Sequence, residues 1–195
     1  MKKKKKEIQL PTVEELENEL RRERYKMNYG RTLRSTIYAL VTVAAAAILV
    51  ATLLLPVLQI YGSSMNPTLT DGDIILSLKE ADFGKQDIVA FYYNNKILVK
   101  RVIAGPSEWV NIDEEGNVTV NGEPLDEPYL IDKAFGDCDI TLPYQVPEGR
   151  YFVMGDHRSV SVDSRNTSVG CVSEEQIVGR LIFRIWPLDK VGSIS

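Results

Sequence analysis

Histidine is nearly absent from this chain, with one residue, His157, and cysteine is limited to Cys138 and Cys171. So few ligating side chains leave no metal-binding spacing, and no cofactor is expected. A disulfide framework is excluded as the main source of stability. Charge is missing altogether between Ser35 and Thr70. General disorder is excluded by the composition, 44% hydrophobic and 26% charged.

What is present is unevenly distributed. The net charge of -4 hides a basic leader with Lys2 to Lys6, Arg21, Arg22, Arg24, Lys26, Arg31 and Arg34. A basic run suggests nucleic acid or a membrane. No groove interleaved with aromatics follows it, so the lipid bilayer is the expected partner and nucleic acid is not. The run from Ile37 to Leu58, IYALVTVAAAAILVATLLLPVL, is long enough as a helix to cross a hydrocarbon core of about 30 Å. A cleaved signal peptide would have a shorter apolar core and would not stand behind so long a charged leader. The sequence therefore divides into a cytoplasmic basic segment (1–34), a transmembrane signal-anchor (35–58) and an extracytoplasmic domain (59–195). The leader's positive charge holds the N-terminus inside, at the cell membrane.

Thr12-Val-Glu-Glu15 matches a capping box and opens a charged helix reaching about Met27. Beyond the span the period changes. DIILSL (73–78), DIVAFYY (87–93), KILVKRVIA (96–104), EWVNI (108–112) and NVTVNG (117–122) are short runs rich in β-branched and aromatic residues. ITLPYQV (140–146), RYFVMG (150–155) and QIVGRLIFRIW (176–186) continue the series. Asn94-Asn95 reads as a tight hairpin turn. The expected fold is mainly antiparallel β, a sandwich or partly open barrel, behind one N-terminal transmembrane helix. Residues 123–139 read as a long connection.

Three segments carry chemistry. Gly62-Ser63-Ser64-Met65-Asn66-Pro67 is a tight loop just beyond the span. In Leu98-Val99-Lys100-Arg101-Val102, strand alternation puts Lys100 between two apolar neighbours and turns Arg101 to the other face. Burial of that ammonium would favour a neutral amine able to accept a serine proton. The third segment is Tyr151-Phe152-Val153-Met154-Gly155-Asp156-His157-Arg158, followed by Ser161-Val162-Asp163-Ser164-Arg165.

In this order behind an N-terminal anchor, the segments resemble the serine, lysine and glycine-aspartate boxes of bacterial type I signal peptidases. The resemblance runs from the span to about Pro187. It implies a serine endopeptidase that removes signal peptides from secretory preproteins, with Ser64 as nucleophile and Lys100 as general base. Ser161 resembles the serine that hydrogen-bonds and orients the lysine. Asp163 and Arg165 resemble an ion-pair network reaching Arg101. Ile60, Met65, Leu69 and Leu98 resemble the apolar lining of the pockets for the substrate residues one and three before the cut. The chain departs from the best-known pattern at Gly62, where part of the family has a serine assisting the oxyanion, and at His157, where asparagine is usual. With Gly62, the backbone N–H of Ser64 would remain as a donor.

Other readings stand beside this one. His157 with Asp163 or Asp156 would make a Ser-His-Asp triad. A different Ser/Lys protease on a similar fold, such as a self-cleaving repressor type, and a non-enzymatic anchored β module are the alternatives in function. Phe183, Ile185 and Trp186 would rest on lipid or pack in the core. Cys138 and Cys171 flank the glycine-aspartate segment and are expected to lie close enough to pair.

Overall fold

A computed structural model describes residues 12–79 and 82–194; Lys2 to Lys6 lie outside the described residues. The chain divides into two units, residues 1–51 and 52–195.

The first unit is helical. Thr12 accepts from the Glu15 N–H at 3.3 Å while its own N–H donates to the Glu15 carboxylate at 2.9 Å, so the expected capping box forms. Helix α1 then runs unbroken from Val13 to Leu54, with no buried residue. The charged stretch and the apolar stretch are one helix, about 63 Å long at the usual rise. It is long and apolar enough to cross a membrane. It stops short of the expected Leu58 because Pro56 has no N–H to continue the ladder. Two late carbonyls find strand partners instead: Leu54 accepts from the Lys79 N–H at 3.1 Å and Pro56 from the Ser77 N–H at 2.9 Å.

Among its described residues the second unit holds twelve strands in two antiparallel sheets. The larger comprises β1 (Val57–Gln59), β2 (Ile74–Leu78), β3 (Ile88–Tyr93), β4 (Lys96–Ala104), β9 (Arg150–Met154), β10 (Val172–Ser173), β11 (Ile177–Trp186) and β12 (Gly192–Ser193). Its order is β1-β2-β11-β3-β4-β9-β10, with β12 on β11. The smaller, in order β7-β6-β5-β8, is built from β5 (Trp109–Ile112), β6 (Val118–Val120), β7 (Glu123–Pro124) and β8 (Tyr144–Gln145). The mainly antiparallel β class read from the sequence is the class observed. Of the expected ITLPYQV strand only Tyr144–Gln145 pairs.

Asn94 and Asn95 both take positive φ, 43° and 62°, the pair of left-handed conformations that a two-residue hairpin requires. That turn fixes Tyr93 opposite Lys96, and hence Val89 opposite Lys100. Three apolar clusters form the core. One, around Phe152 and Ile103, joins the two sheets. The others surround Leu69 and Ile75, and Phe91 and Val102.

Candidate active site

The loop after β1 carries Ser64. It is closed at its base by the Ile60 N–H donating to the Asp73 carbonyl at 2.8 Å and the Gly72 N–H to the Ile60 carbonyl at 2.9 Å. Met65 and Leu69, 2% and 0% exposed, anchor it in the core. From the opposite side the glycine-aspartate segment grips it. The His157 N–H donates to the Ser64 carbonyl at 3.0 Å, and the Thr68 hydroxyl to Asp156 at 2.5 Å. Gly62 takes φ 86° and donates its N–H to Asp71 at 2.7 Å. A serine side chain there would have open space but a disfavoured backbone.

Strand β4 brings Lys100 to this loop. Its Nζ hydrogen-bonds the Ser64 hydroxyl at 2.7 Å, and the residue is only 3% exposed. Burial is the main cause that lowers the lysine to about 8. Nearby Asp163 works against the shift, Arg165 assists it, and Asp156 again opposes it. The Ser64 N–H has no intramolecular acceptor among the described residues. The site thus holds a hydroxyl, a buried amine poised near neutrality and an unspent backbone donor.

Behind the amine lies a different environment. Three buried arginines each meet a carboxylate: Arg101 with Asp156, Arg158 with Glu127, and Arg165 with Asp163. Arg101 is held by Asp156 through two bonds of 2.9 and 2.7 Å, and its guanidinium lies 3.8 Å from the centre of the Tyr129 ring. Arg165 grips Asp163 at 2.8 and 2.9 Å, and also donates to the carbonyls of Phe135 and Arg158. A Cβ at Gly136, where φ is 69°, would collide with that guanidinium. The long connection at 123–139 is therefore a strap that supplies Glu127, Tyr129 and the Phe135 carbonyl.

These contacts correct four expectations. Arg101 is paired by Asp156, not by Asp163 and Arg165. Its cross-strand partner is Met154, and two residues further along the same side comes Asp156. Ser161 is buried beside the site, but its hydroxyl has no partner among the described residues. It is pressed against the Gly155 Cα instead of Lys100, since a Cβ at Gly155 would strike it. Leu69 is not in the lining of the groove beside Ser64: it is wholly buried with Ile60, Met65 and Ile75. The cysteines are both free. Cys171 sits in the core with its thiol beside the Tyr144 hydroxyl, 4.0 Å away, and burial pushes it up to about 11. Cys138 is on the strap, where burial also raises its thiol.

His157 does not reach the Ser64 hydroxyl. Its Nδ1 lies 3.3 Å from the Ser63 carbonyl, so its ring, like its backbone, holds the loop. Among the described residues no carboxylate contacts its ring, and the triad arrangement is not formed.

A groove of about 570 Å³ opens from the Ser64–Lys100 contact. Residues 58–62 form one wall and residues 96–100 the other, with Ser64 and Met65 at one end. Ile60, Met65 and Leu98 are among its lining residues, together with Gln59, Tyr61 and Ile97. Along the path β1-β2-β11-β3-β4 every pairing is antiparallel, so β1 and β4 run in the same direction. On its far side β4 is paired by β9 only from Arg101 onward. Residues 96–100 therefore present an open strand edge to the groove, a gap in a barrel that does not close.

Comparison with known proteins places this geometry in context. A family model described as "Signal peptidase, peptidase S26" matches residues 33–186. Signal peptidase IB of Staphylococcus aureus is 39% identical over 152 residues, covering 67% of this chain and 78% of the relative. Signal peptidase I of Streptococcus pneumoniae serotype 4 is 31% identical over 174 residues, covering 69% and 84%. A crystal structure of a signal peptidase I from Enterococcus faecalis V583 aligns with TM-score 0.45 and 31% identity, over 52% of this chain and 97% of that one.

Proposed function

Because the chain belongs to the signal peptidase family, peptidase S26, we infer that it is a membrane-anchored serine endopeptidase that cleaves signal peptides from secretory preproteins with a Ser64/Lys100 dyad. The observation that carries this reading is the 2.7 Å contact between the Ser64 hydroxyl and an amine lowered to about 8.

In its neutral form Lys100 accepts the hydroxyl proton while Ser64 Oγ attacks the scissile carbonyl. The Ser64 N–H donates to the oxyanion. Lys100 then returns the proton to the leaving amine, releasing the mature chain and leaving a signal-peptide ester on Ser64. Water, deprotonated by the same amine, frees the ester. Arginine could not serve, because a guanidinium stays charged at working pH.

The open edge of β4 takes the substrate as an added strand, so that alternate side chains enter the groove. Met65, Ile60 and Leu98 leave shallow space at the positions one and three before the cut, which favours alanine. Helix α1 anchors the chain with residues 1–34 in the cytoplasm and the β unit outside. Exposed Phe183, Ile185 and Trp186, 39%, 39% and 49% accessible, rest on lipid.

The test is processing of a secretory precursor by the detergent-solubilised chain, with sequencing of the product. Ser64→Ala, Lys100→Ala and Lys100→Arg should each reduce cleavage by on the order of 10⁶-fold, as when one member of a catalytic unit is removed. His157→Ala should retain most activity. An active Lys100→Arg with a dead His157→Ala would refute the dyad. An impermeant protease added to intact cells should digest residues beyond 60 and spare the first 34, or the topology is wrong.

A further inference from the structure

The groove is charged in one sense. Lys96 lies at its far end and Lys100 at its near end, and among the described residues no carboxylate lines it. Among the described residues Lys96 has no ion pair; it is exposed at the start of β4, directly after the Asn94-Asn95 turn. Alternation places Lys96, Leu98 and Lys100 on one side of the strand. Four steps along the strand separate the two lysines, about 13 Å. Across the groove stands Gln59, whose Oε1 accepts from the Tyr61 hydroxyl at 2.8 Å. That bond turns the amide oxygen toward Tyr61 and leaves the NH₂ free to donate.

An extended substrate has the same period. If its residues one and three before the cut lie toward Lys100 and Leu98, the residue five before the cut shares their side and lies toward Lys96. There it meets an ammonium from one wall and an amide donor from the other, with no carboxylate among the described lining residues to balance them. We propose that Lys96, assisted by Gln59, selects signal peptides carrying an acidic or amide side chain at the fifth residue before the cut and disfavours basic ones. This rests on the peptidase reading above and adds a third recognition point to it.

The experiment uses the full chain in detergent and peptides with alanine one and three before the cut, varied at the fifth position among Glu, Gln, Ala and Lys. The Lys96 contact is exposed, so its effect is modest. Glu should exceed Ala by about threefold in kcat/KM and Lys should fall below Ala by about threefold, mainly through KM. Lys96→Glu should reverse the order and Lys96→Gln should flatten it. About 0.5 M salt should compress the parent's range. An order unchanged in Lys96→Glu would overturn this proposal alone. Failure of the parent to cleave any peptide of the series would overturn the peptidase reading and this one with it.

Discussion

The two sides of strand β4 handle buried positive charge in opposite ways. Behind it, Arg101, Arg158 and Arg165 each face their own carboxylate, and the remaining N–H groups go mainly to backbone carbonyls. In front, Lys100 is equally dry but meets only a hydroxyl. The back answers desolvation with pairing. The front answers it by loosening the proton. Adjacent residues on one strand thus divide into a fixed charge that braces the Ser64 loop and a labile one that works on it. The contrast depends on residue type, since guanidinium keeps its proton where ammonium yields.

The contrast is most strongly broken from behind. Asp156→Asn leaves Arg101 buried with half its partner and loosens Thr68, and should cost about 3–5 kcal/mol of stability, read as a large fall in Tm of the solubilised chain. Survival of Tm within a degree or two would mean that the pair is not structural.

Lys100→Met tests the front and should have the opposite sign. Holding the ammonium in place at neutral pH costs the shift from 10.5 to about 8, about 3 kcal/mol. The variant should be dead and more stable by up to that amount. The folded state releases the proton at about 8, whereas the unfolded chain keeps it to about 10.5. Between those values the unfolded state binds more protons, so the parent gains stability as pH rises. The variant's advantage should shrink across that window, and an advantage independent of pH would contradict the assignment.

Turnover offers a finer reading of the same group. Below about 8, kcat/KM should rise roughly tenfold per pH unit and then level off, because in the proposed dyad the neutral amine is the base. Lys96→Gln should leave the shape of that profile in place, whereas loss of a charge in contact with Lys100 would displace it. The smallest effect is expected from Ser161→Ala. Its hydroxyl is buried without a partner, so removing it should leave Tm no lower and kcat/KM within about threefold. A hundredfold loss would show that the hydroxyl turns to Lys100 during the reaction.

Much of the front was legible in the sequence because its information is local. A charge-free run, a strand with a lysine between apolar neighbours and a Gly-Ser-Ser loop are each contained in a few consecutive residues. The back was poorly legible because its partners are remote. Glu127 is separated from Arg158 by the strap's whole return, and nothing in a Pro- and acid-rich connection distinguishes a buried glutamate from a solvated one. Asp156 stood within a recognised segment, yet pairing it with Arg101 needs the β4–β9 register, which depends on which strands become neighbours. The cysteines misled for a related reason: flanking the same segment in sequence did not pair Cys138 and Cys171, one of which lies on the strap and the other in the core.

Helix α1 has one more consequence. Its alanines at 44–47 have the small side chains that the proposed cleavage favours, so in composition the helix looks like something to be cut. Every interior peptide group of the helix already has a partner within it, and nothing is left over to join a strand edge. The proposed strand addition takes an extended substrate, and α1 stays coiled through Leu54. The enzyme and its targets can share an alphabet of residues and still be told apart, by which of them has its backbone free to be read.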